Sequence, residues 1–326
     1  MTHIFGRLVG CSAVGLLLAA HAPTIVEYPL PRPHAFPHDP AVGRDGIVWY
    51  TDQANSFIGR LDPVTGKVTD YPTPTPASGP HGIVVAPDGG VWYTANFTGR
   101  LGRVDAATGA IKEFVMPSEA RDPHTPLFHQ GKVWFTAQGA NLYGVLDPGT
   151  GQVKVFPVPT ARAHPYGLVA GPDGAIWMAE FGTNKLGRIN PADGALREFV
   201  LPESGARPRR LAVDAKGIVW YTDYARGKLG RLDPATGQVR DFDSPGGAGS
   251  APYGIAIGTD GRVWYDESGR DQIVAFDPAT ERTETVAIPT RGSVVRNMAV
   301  DSARARLWLA ESGVQRLGRI DLKATP

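Results

Sequence analysis

The chain has 326 residues, and its 33 Lys and Arg against 32 Asp and Glu leave a net charge of +1, which gives no global electrostatic reason to expect nucleic acid as a partner. With 42% hydrophobic and 20% charged residues it is too apolar for disorder, and its apolar runs fall short of the roughly 18 residues of a membrane span. The 40 Gly and 29 Pro, about a fifth of the chain, argue against a helical protein and favour a turn-rich β fold.

Residues 1–22 have the features of a secretory signal peptide. The basic Arg7 precedes an apolar stretch that ends on the small-residue pattern Ala20-His21-Ala22. We therefore expect a secreted or periplasmic protein whose mature part, residues 23–326, is a single domain. The one cysteine, Cys11, lies inside the signal, so the mature chain depends on no disulfide.

The rest of the chain is a repeat marked by its tryptophans. The units share parts of one pattern, in which Asp-Gly and an aliphatic residue precede the tryptophan and an aromatic residue and Thr follow it, as in Asp45–Thr51. A Leu-Gly-Arg-Leu-Asp-Pro-x-Thr-Gly block comes next, as in Leu229–Gly237, and then an acidic-aromatic-Pro segment, as in Glu198–Pro202. The seven tryptophans follow one another at intervals of 42–44 residues: Trp49, Trp92, Trp134, Trp177, Trp220, Trp264 and Trp308.

Each unit predicts four short strands joined by Asp-Gly and Thr-Gly turns, with no room for a helix. A period of 40–45 residues with four strands per unit is typical of a β-propeller, so we predict an all-β, seven-bladed propeller. The last unit stops after Asp321, and Val26–Pro31 matches its missing fourth strand. The N-terminal strand should therefore complete the last blade.

Because most repeated residues build blades, function should lie where equivalent positions differ. The residue before the innermost strand should point to the channel axis, and we call these seven positions the channel ring. Counting eleven residues back from each Trp, or ten in the third blade, gives the ring: His38, His81, His124, Tyr166, Arg209, Tyr253 and Asn297.

The three histidines of neighbouring blades indicate proton transfer or metal binding, although a His before Gly can also simply end a loop. Arg207–Arg210 in blade five and Arg296 in blade seven indicate an anion-binding face, or else solvated surface arginines. If they point inward, a carboxylate is the expected ligand group. We thus predict substrate binding by four ring residues: His38, Arg209, Tyr253 and Asn297.

The blade pattern resembles streptogramin B lyase, the virginiamycin B lyase family, over essentially the whole mature chain. The shared features are Pro-His/Tyr-Gly-Ile, Asp-Gly, Trp-Phe/Tyr-Thr and Leu-Gly-Arg-Ile. The resemblance implies a substrate-binding Pro-His in the penultimate blade. It also implies a Glu-Pro-His in the last blade, which supplies a metal-binding carboxylate and the catalytic base. A second metal-binding carboxylate is implied four residues after that blade's Trp. In linear register the last blade reads Val295-Arg296-Asn297-Met298, so these residues are absent there.

Rotating the comparison by blades restores most of the pattern. Pro80-His81-Gly82 is similar to the substrate-binding motif, Asp122-Pro123-His124 to the Glu-Pro-His, and Pro165-Tyr166-Gly167 to a Pro-Tyr-Gly beside the family site. The resemblance then implies catalytic roles for the ring residues of these motifs, His124, His81 and Tyr166, and metal binding by Asp122 and Gln138. Here Asp122 is shorter than the Glu of the pattern, and Gln138 is neutral.

The implied reaction is β-elimination, with cleavage of a C–O bond, on a small molecule that bears an ester or an anionic carboxylate. We expect the protein to be a monomer. The metal polarises a carbonyl, His124 removes the neighbouring α-proton, and the β C–O bond breaks, while His81 or Tyr166 positions the substrate or returns a proton. The expected cofactor is a divalent cation, Mg²⁺ first, with Mn²⁺, Ca²⁺ or Zn²⁺ as alternatives.

Two other functions fit the same residues. One is metal-dependent hydrolysis of a lactone or ester at this site. The other is a non-catalytic propeller that binds a ligand or a protein, since one fold serves many functions.

Overall fold

The structure, a computed structural model, describes residues 23–322. The predicted signal peptide lies outside the described residues and stays a prediction. Within them, 28 strands form seven four-stranded antiparallel sheets, each in sequence order except the last. No helix of the described part is long and apolar enough to cross a membrane.

The seven sheets are the blades of a propeller, and their first strands face one another around the central channel. The strands, from innermost to outermost, are Pro37–Val42, Val48–Asp52, Phe57–Leu61 and Val68–Pro72 in blade 1; Pro80–Val85, Val91–Ala95, Arg100–Val104 and Ile111–Val115 in blade 2; Pro123–His129, Lys132–Ala137, Leu142–Leu146 and Val153–Pro157 in blade 3; Pro165–Ala170, Ile176–Glu180, Lys185–Ile189 and Leu196–Val200 in blade 4; Pro208–Val213, Val219–Asp223, Lys228–Leu232 and Val239–Asp243 in blade 5; Pro252–Ile257, Val263–Glu267, Gln272–Phe276 and Thr283–Ala287 in blade 6; and Val295–Asp301, Arg306–Glu311, Arg316–Asp321 and Ile25–Pro29 in blade 7. Three single 3₁₀ turns complete the elements: Ser118–Ala120, Gly247–Gly249 and Ser312–Val314.

The ring of blades closes through the N-terminal strand, which confirms the predicted closure. Ile25–Pro29 pairs antiparallel with Arg316–Asp321, and the ring of Tyr28 packs on Trp308 with centroids 5.3 Å apart. The predicted segment began one residue later and ran two residues too far. With this strand in place, each of the seven blades has four strands.

The repeated residues build the blades, as the sequence indicated. In blade 2, Trp92 packs on the outer-strand Phe114 at 5.5 Å, and the Tyr93 hydroxyl donates to the Glu113 carboxylate at 3.2 Å. A Cβ on Gly102, in the Leu-Gly-Arg block, would lie only 2.0 Å from the Tyr93 ring, so this position has to be glycine. The acidic-aromatic segment and the glycine therefore serve one packing motif.

The core is divided among the blade interfaces. Seven buried apolar clusters each join two neighbouring blades, one for every interface of the ring. Between blades 1 and 2, for example, Trp49 and Ile58 pack with Tyr93 and Val104. Each blade is thus held by its neighbours, and the first strands are fixed around the channel.

Blade 3 has the shorter first turn that its spacing predicted. His129 pairs with Lys132 across two residues, Gln130 and Gly131, both with positive φ (49° and 76°). This is the geometry of a tight two-residue hairpin turn, whereas the corresponding turns of the other blades are longer. The shorter turn accounts for the ten-residue distance from His124 to Trp134.

Candidate functional site

A β-bulge in each innermost strand turns the ring residue out of the sheet. In blade 2, Pro80 pairs with Ala95 and Ile83 pairs with Tyr93, which leaves His81 and Gly82 outside the regular ladder. The same register shift occurs in all seven blades. Bulges re-aim side chains in this way, so the ring residues are set by the backbone of every blade.

A buried threonine two residues after the tryptophan holds the ring backbone in place. The Thr94 hydroxyl accepts the N–H of Gly82 at 2.9 Å and donates to the carbonyl of His124, in the next blade, at 2.7 Å. Thr51, Thr136 and Thr222 make the equivalent inter-blade bonds. These hydroxyls connect consecutive ring residues and fix their spacing.

The structure brings the three ring histidines and Tyr166 into one row. Ring centroids are 3.7 Å apart from His38 to His81, 3.7 Å from His81 to His124, and 4.1 Å from His124 to Tyr166. All four side chains are buried, with 3–5% exposure. Burial lowers the pKa of each histidine, well below its usual value for His81 and His124. The imidazoles are therefore neutral near pH 7 and can take a proton or ligate a metal.

A salt bridge that the sequence analysis did not predict crosses the channel. The Arg210 Nη2 atom of blade 5 lies 2.8 Å and 3.0 Å from the two carboxylate oxygens of Asp39 in blade 1. Both side chains are buried, and the His38 Nδ1 atom lies 2.8 Å from the same carboxylate. Because the carboxylate accepts this bond, Nδ1 of His38 carries the proton and its Nε2 faces away as the free acceptor.

A signal for this pair was present in the sequence. Asp39 and Arg210 each stand directly after a ring residue, where three other blades have glycine: Gly82, Gly167 and Gly254. Two opposite charges at a position that carries no charge in the other five blades would have marked the pair. Of the predicted arginine face, Arg210 is therefore already paired, and Arg207 donates to two carbonyls of its own loop.

Next to the histidines, two tyrosines and an arginine meet. The Tyr166 and Tyr253 hydroxyls are hydrogen-bonded to each other, and Arg209 Nη2 lies 3.4 Å from the Tyr166 hydroxyl. The Arg209 guanidinium carbon stands 3.7 Å from the centroid of Tyr253. Burial raises the pKa of Tyr166 far above its usual value, so this phenol stays protonated.

Asn297, the seventh ring residue, is half-buried and lies against blade 6. Its Cα would be 3.0 Å from a Cβ on Gly254, so the strands approach closely there. The neighbouring Arg296 is also half-buried, and its guanidinium reaches the aromatic side of the ring.

In blade 6 the threonine is replaced by the buried Asp266. Its Oδ1 accepts the N–H of Gly254 at 2.5 Å, and its Oδ2 lies 2.6 Å from the Ser268 hydroxyl. That hydroxyl also lies 2.9 Å from the carbonyl oxygen of Val295, which can only accept. Serine has one hydrogen to give, so a protonated Asp266 completes the chain by donating to Ser268. Burial raises the pKa of Asp266 to about 7, consistent with this arrangement.

Of the predicted metal ligands Asp122 and Gln138, the first is engaged within its own blade. The Asp122 carboxylate accepts the backbone N–H groups of Gly139 and, at 3.2 Å, Ala140, and so closes a loop of blade 3. In the described residues no hydrogen bond joins Asp122 or Gln138 to His124. This pair is a poor match for a cation site.

Among residues 23–322, one group of three His, Cys, Asp or Glu side chains has ligand atoms within 4.8 Å of one another: His38, Asp39 and His81. His81 Nδ1 is buried and has no hydrogen-bond partner among these residues, as suits a ligand atom. However, the Arg210 guanidinium already neutralises the one carboxylate of the group. The residues thus do not fit a divalent cation, and the predicted metal stays a prediction on which we build no step.

The fold and the site can now be compared with known proteins. The sequence matches the model of the Virginiamycin B lyase family over residues 14–149 and 130–246, more than half of the chain. The chain belongs to the virginiamycin B lyase family. No curated protein matches it in a sequence search.

Solved structures of the virginiamycin B lyase family have the same architecture. A streptogramin B lyase structure is 24% identical, with a TM-score of 0.85 over 92% of this chain and 98% of that one. Virginiamycin B lyase from Staphylococcus aureus is 25% identical, with a TM-score of 0.86 over 93% of this chain and 100% of that one. A catalytically inactive variant from the same organism, crystallised with quinupristin, is 24% identical, with a TM-score of 0.86 over the same shares of both chains.

Proposed function

We propose that this member of the virginiamycin B lyase family is a carbon–oxygen lyase that acts by β-elimination at the channel ring. The observation that carries the proposal is the contact of a neutral, buried imidazole, His124, with a protonated phenol, Tyr166. Their ring centroids are 4.1 Å apart. A base beside an acid, with Arg209 next to the acid, is the set of groups that elimination requires.

In the proposed reaction His124 takes the proton from the carbon next to the substrate's carbonyl or carboxylate group. The C–H electron pair forms the new C=C bond, and the bond from the β-carbon to oxygen breaks. Neutral imidazole is the form that can accept this proton, and its buried position keeps water from competing. The products are an α,β-unsaturated carbonyl compound and the released oxygen leaving group.

Tyr166 and Arg209 complete the reaction. The raised pKa of Tyr166 keeps its proton in place until a basic leaving oxygen accepts it. The Arg209 guanidinium, fixed on the face of Tyr253, stabilises the negative charge that develops on the carbonyl oxygen. His81, in ring contact with His124, positions the base.

The test is product formation by His124→Ala. Streptogramin B antibiotics and uronate-containing substrates are screened for new ultraviolet absorbance of a conjugated carbonyl. On a substrate that the wild type converts, we expect His124→Ala to lose about 10²–10⁴-fold in rate. Full turnover by this variant would refute the role of His124.

His129→Ala is the matched control, because His129 lies at the far end of the same strand and bonds to the Gly174 carbonyl at 2.8 Å. We expect it to keep wild-type turnover. Reaction in ¹⁸O-labelled water separates elimination from hydrolysis, since hydrolysis adds solvent oxygen and leaves no double bond. Solvent oxygen in the product would mean that the protein is the metal-dependent lactonase or esterase predicted above as an alternative, and not a lyase.

A non-catalytic binding propeller is the second candidate, and one observation favours it. The imidazoles of His38, His81 and His124 pack on one another at 3.7 Å, so their faces are already covered. A binding propeller would show saturable ligand binding with no product from any substrate.

A further inference from the structure

Two ring-side arginines have no ion-pair partner in the described structure. Within residues 23–322 no carboxylate lies within ion-pair distance of Arg209 or Arg296, although Arg210 is paired with Asp39. The Nε atoms of Arg209 and Arg296 are buried and have no hydrogen-bond partner there. Leaving a buried, charged donor unpaired is costly, so these groups indicate a missing anion.

Arg209 is held in a box of aromatic rings. Its guanidinium carbon lies 3.7 Å from the centroid of Tyr253, 4.4 Å from Tyr224, 4.8 Å from Phe181 and 5.0 Å from Tyr166. Apart from the 3.4 Å contact of Nη2 with the Tyr166 hydroxyl, no hydrogen bond among the described residues uses the N–H groups of Arg209. In-plane guanidinium N–H groups can bind a carboxylate through two parallel bonds. The box therefore pre-organises Arg209 for a planar anion.

Arg296 completes the site from blade 7. Its guanidinium carbon lies 5.4 Å from the ring of Phe36 and 5.9 Å from Tyr253, the ring that Arg209 also covers. The two free cations thus share one aromatic neighbour. Phe36 is half-buried, so part of its ring remains open at the mouth.

The aromatic lining is specific to this side of the channel. Phe181 and Tyr224 stand four residues after the tryptophans of blades 4 and 5, and both are half-buried. The same position is polar in the other five blades: Gln53, Asn96, Gln138, Ser268 and Ser312. An apolar, aromatic wall thus adjoins the free guanidinium groups, opposite the histidine row.

We propose that Arg209 and Arg296, with the rings of Phe36, Phe181 and Tyr224, bind a carboxylate attached to a planar, conjugated or aromatic group. The carboxylate receives the in-plane donors of Arg209, and the conjugated part stacks on the open rings. This site would hold the unsaturated product of the lyase proposed above, and it rests on that proposal only for the step after binding. Elimination makes the two carbons next to a substrate's carboxylate planar, so the product should bind here and compete with the substrate.

The test is calorimetric titration of the full chain with three matched ligands. Cinnamate has the carboxylate and the conjugation, cinnamamide lacks the charge, and 3-phenylpropanoate lacks the double bond. We expect cinnamate to bind at least about tenfold more tightly than cinnamamide, because a charged, bidentate bond is lost with the amide. We expect 3-phenylpropanoate to bind more weakly than cinnamate, because its flexible chain must be ordered.

Variants locate the binding. Arg209→Gln and Arg296→Gln should each weaken cinnamate binding about tenfold or more. Arg197→Gln is the matched control, because Arg197 also covers an aromatic ring, Phe199 at 4.6 Å, but lies exposed on the outermost strand of blade 4. It should bind cinnamate like the wild type.

Three results would overturn the proposal: no cinnamate binding at millimolar concentration, equal binding of cinnamate and cinnamamide, or cinnamate binding that neither arginine affects. The first two results come from the wild-type protein alone, so the proposal can be tested even if a variant fails to fold. If 3-phenylpropanoate binds as tightly as cinnamate, the planar part of the proposal is wrong.

The binding test is also separate from the lyase test. His124→Ala should retain cinnamate affinity within about threefold while losing turnover. If cinnamate binds and no substrate is converted, the lyase fails and the carboxylate site stands. If neutral esters are converted and cinnamate does not bind, the lyase stands and the carboxylate site fails.

Discussion

Single residues in this propeller are best understood by comparison with their equivalents in the other blades. Asp266 stands where four blades have a threonine, and it keeps the threonine's function only when it is protonated and donates to Ser268. In the same way, Asp39 and Arg210 stand where three blades have glycine. Asp39 and Arg210 add charges to the channel and Asp266 adds a titratable group, so the chemistry of the molecule is concentrated at positions that break the repeat.

We expect Asp266→Asn to be more stable than the wild type at pH 8 by on the order of 1 kcal/mol or more. An unfolded aspartate titrates near 4, whereas burial raises the pKa of Asp266 to about 7. Between these values the folded state holds a proton that the unfolded state has lost, so wild-type stability falls as the pH rises. Asparagine accepts from Gly254 and donates to Ser268 at every pH, so this loss should disappear.

Urea denaturation from pH 5 to 8 measures the effect as a difference between variant and wild type that grows with pH. Asp243→Asn is the control, because Asp243 is exposed and its pKa is lowered by the bond from Lys228. A difference for Asp266→Asn that stays constant across this range would show that Asp266 is ionised in the folded protein.

Among the strands, the N-terminal one is short, yet the closure of the propeller depends on it. Five residues, Ile25–Pro29, supply the fourth strand of blade 7 and pair along the whole of Arg316–Asp321. Tyr28 covers Trp308 in the place that an outer-strand aromatic residue of the same blade fills in blades 1 to 5. The closure contact thus joins the two ends of the described chain, and the channel ring depends on it.

A chain that begins at Leu30 should be less stable than one that begins at Pro23 by at least about 3 kcal/mol. It loses the ladder to Arg316–Asp321 and the packing of Ile25 and Tyr28, and it exposes a strand edge. Thermal unfolding and the monomer fraction of the two chains measure the difference. Equal stability would mean that three strands suffice for blade 7.

Over the whole molecule, the seven blades are joined by contacts between neighbours and by side-chain bonds between blades that are not neighbours. Each apolar cluster joins adjacent blades, so the packing is local in the ring. The Asp39–Arg210 bridge instead connects blade 1 with blade 5, residues 171 apart in sequence. It also fills the channel beside the histidine row and leaves Arg209 as a separate, free cation.

Breaking this bridge should be strongly destabilising. We expect Asp39→Ala and Arg210→Ala each to lower the free energy of unfolding by roughly 3–5 kcal/mol, because each leaves an unpaired buried charge. The double variant removes both charges, so it should lose less than the sum of the two. Urea denaturation of all four proteins gives the coupling, and additive losses would show that the two charges do not interact.

The architecture could be predicted from the chain alone, since tryptophans 42–44 residues apart, in units with similar turns, leave few ways to bury the apolar residues except in seven closed blades. The sequence also indicated the channel ring, because His38, His81 and His124 recur at one repeat position. A repeat encodes its own packing locally, and local patterns can be recognised along the chain.

Only the tertiary structure decided which ring residues meet and how their charges are compensated. Bulges and inter-blade threonine bonds place His124 against Tyr166, and the channel brings Asp39 to Arg210, neither of which follows from spacing along the chain. Asp122 looked like a ligand in sequence, yet its oxygens accept backbone N–H groups of its own blade. The physical reason is that pairing and burial depend on distances across the ring, and these are fixed only when all seven blades have closed.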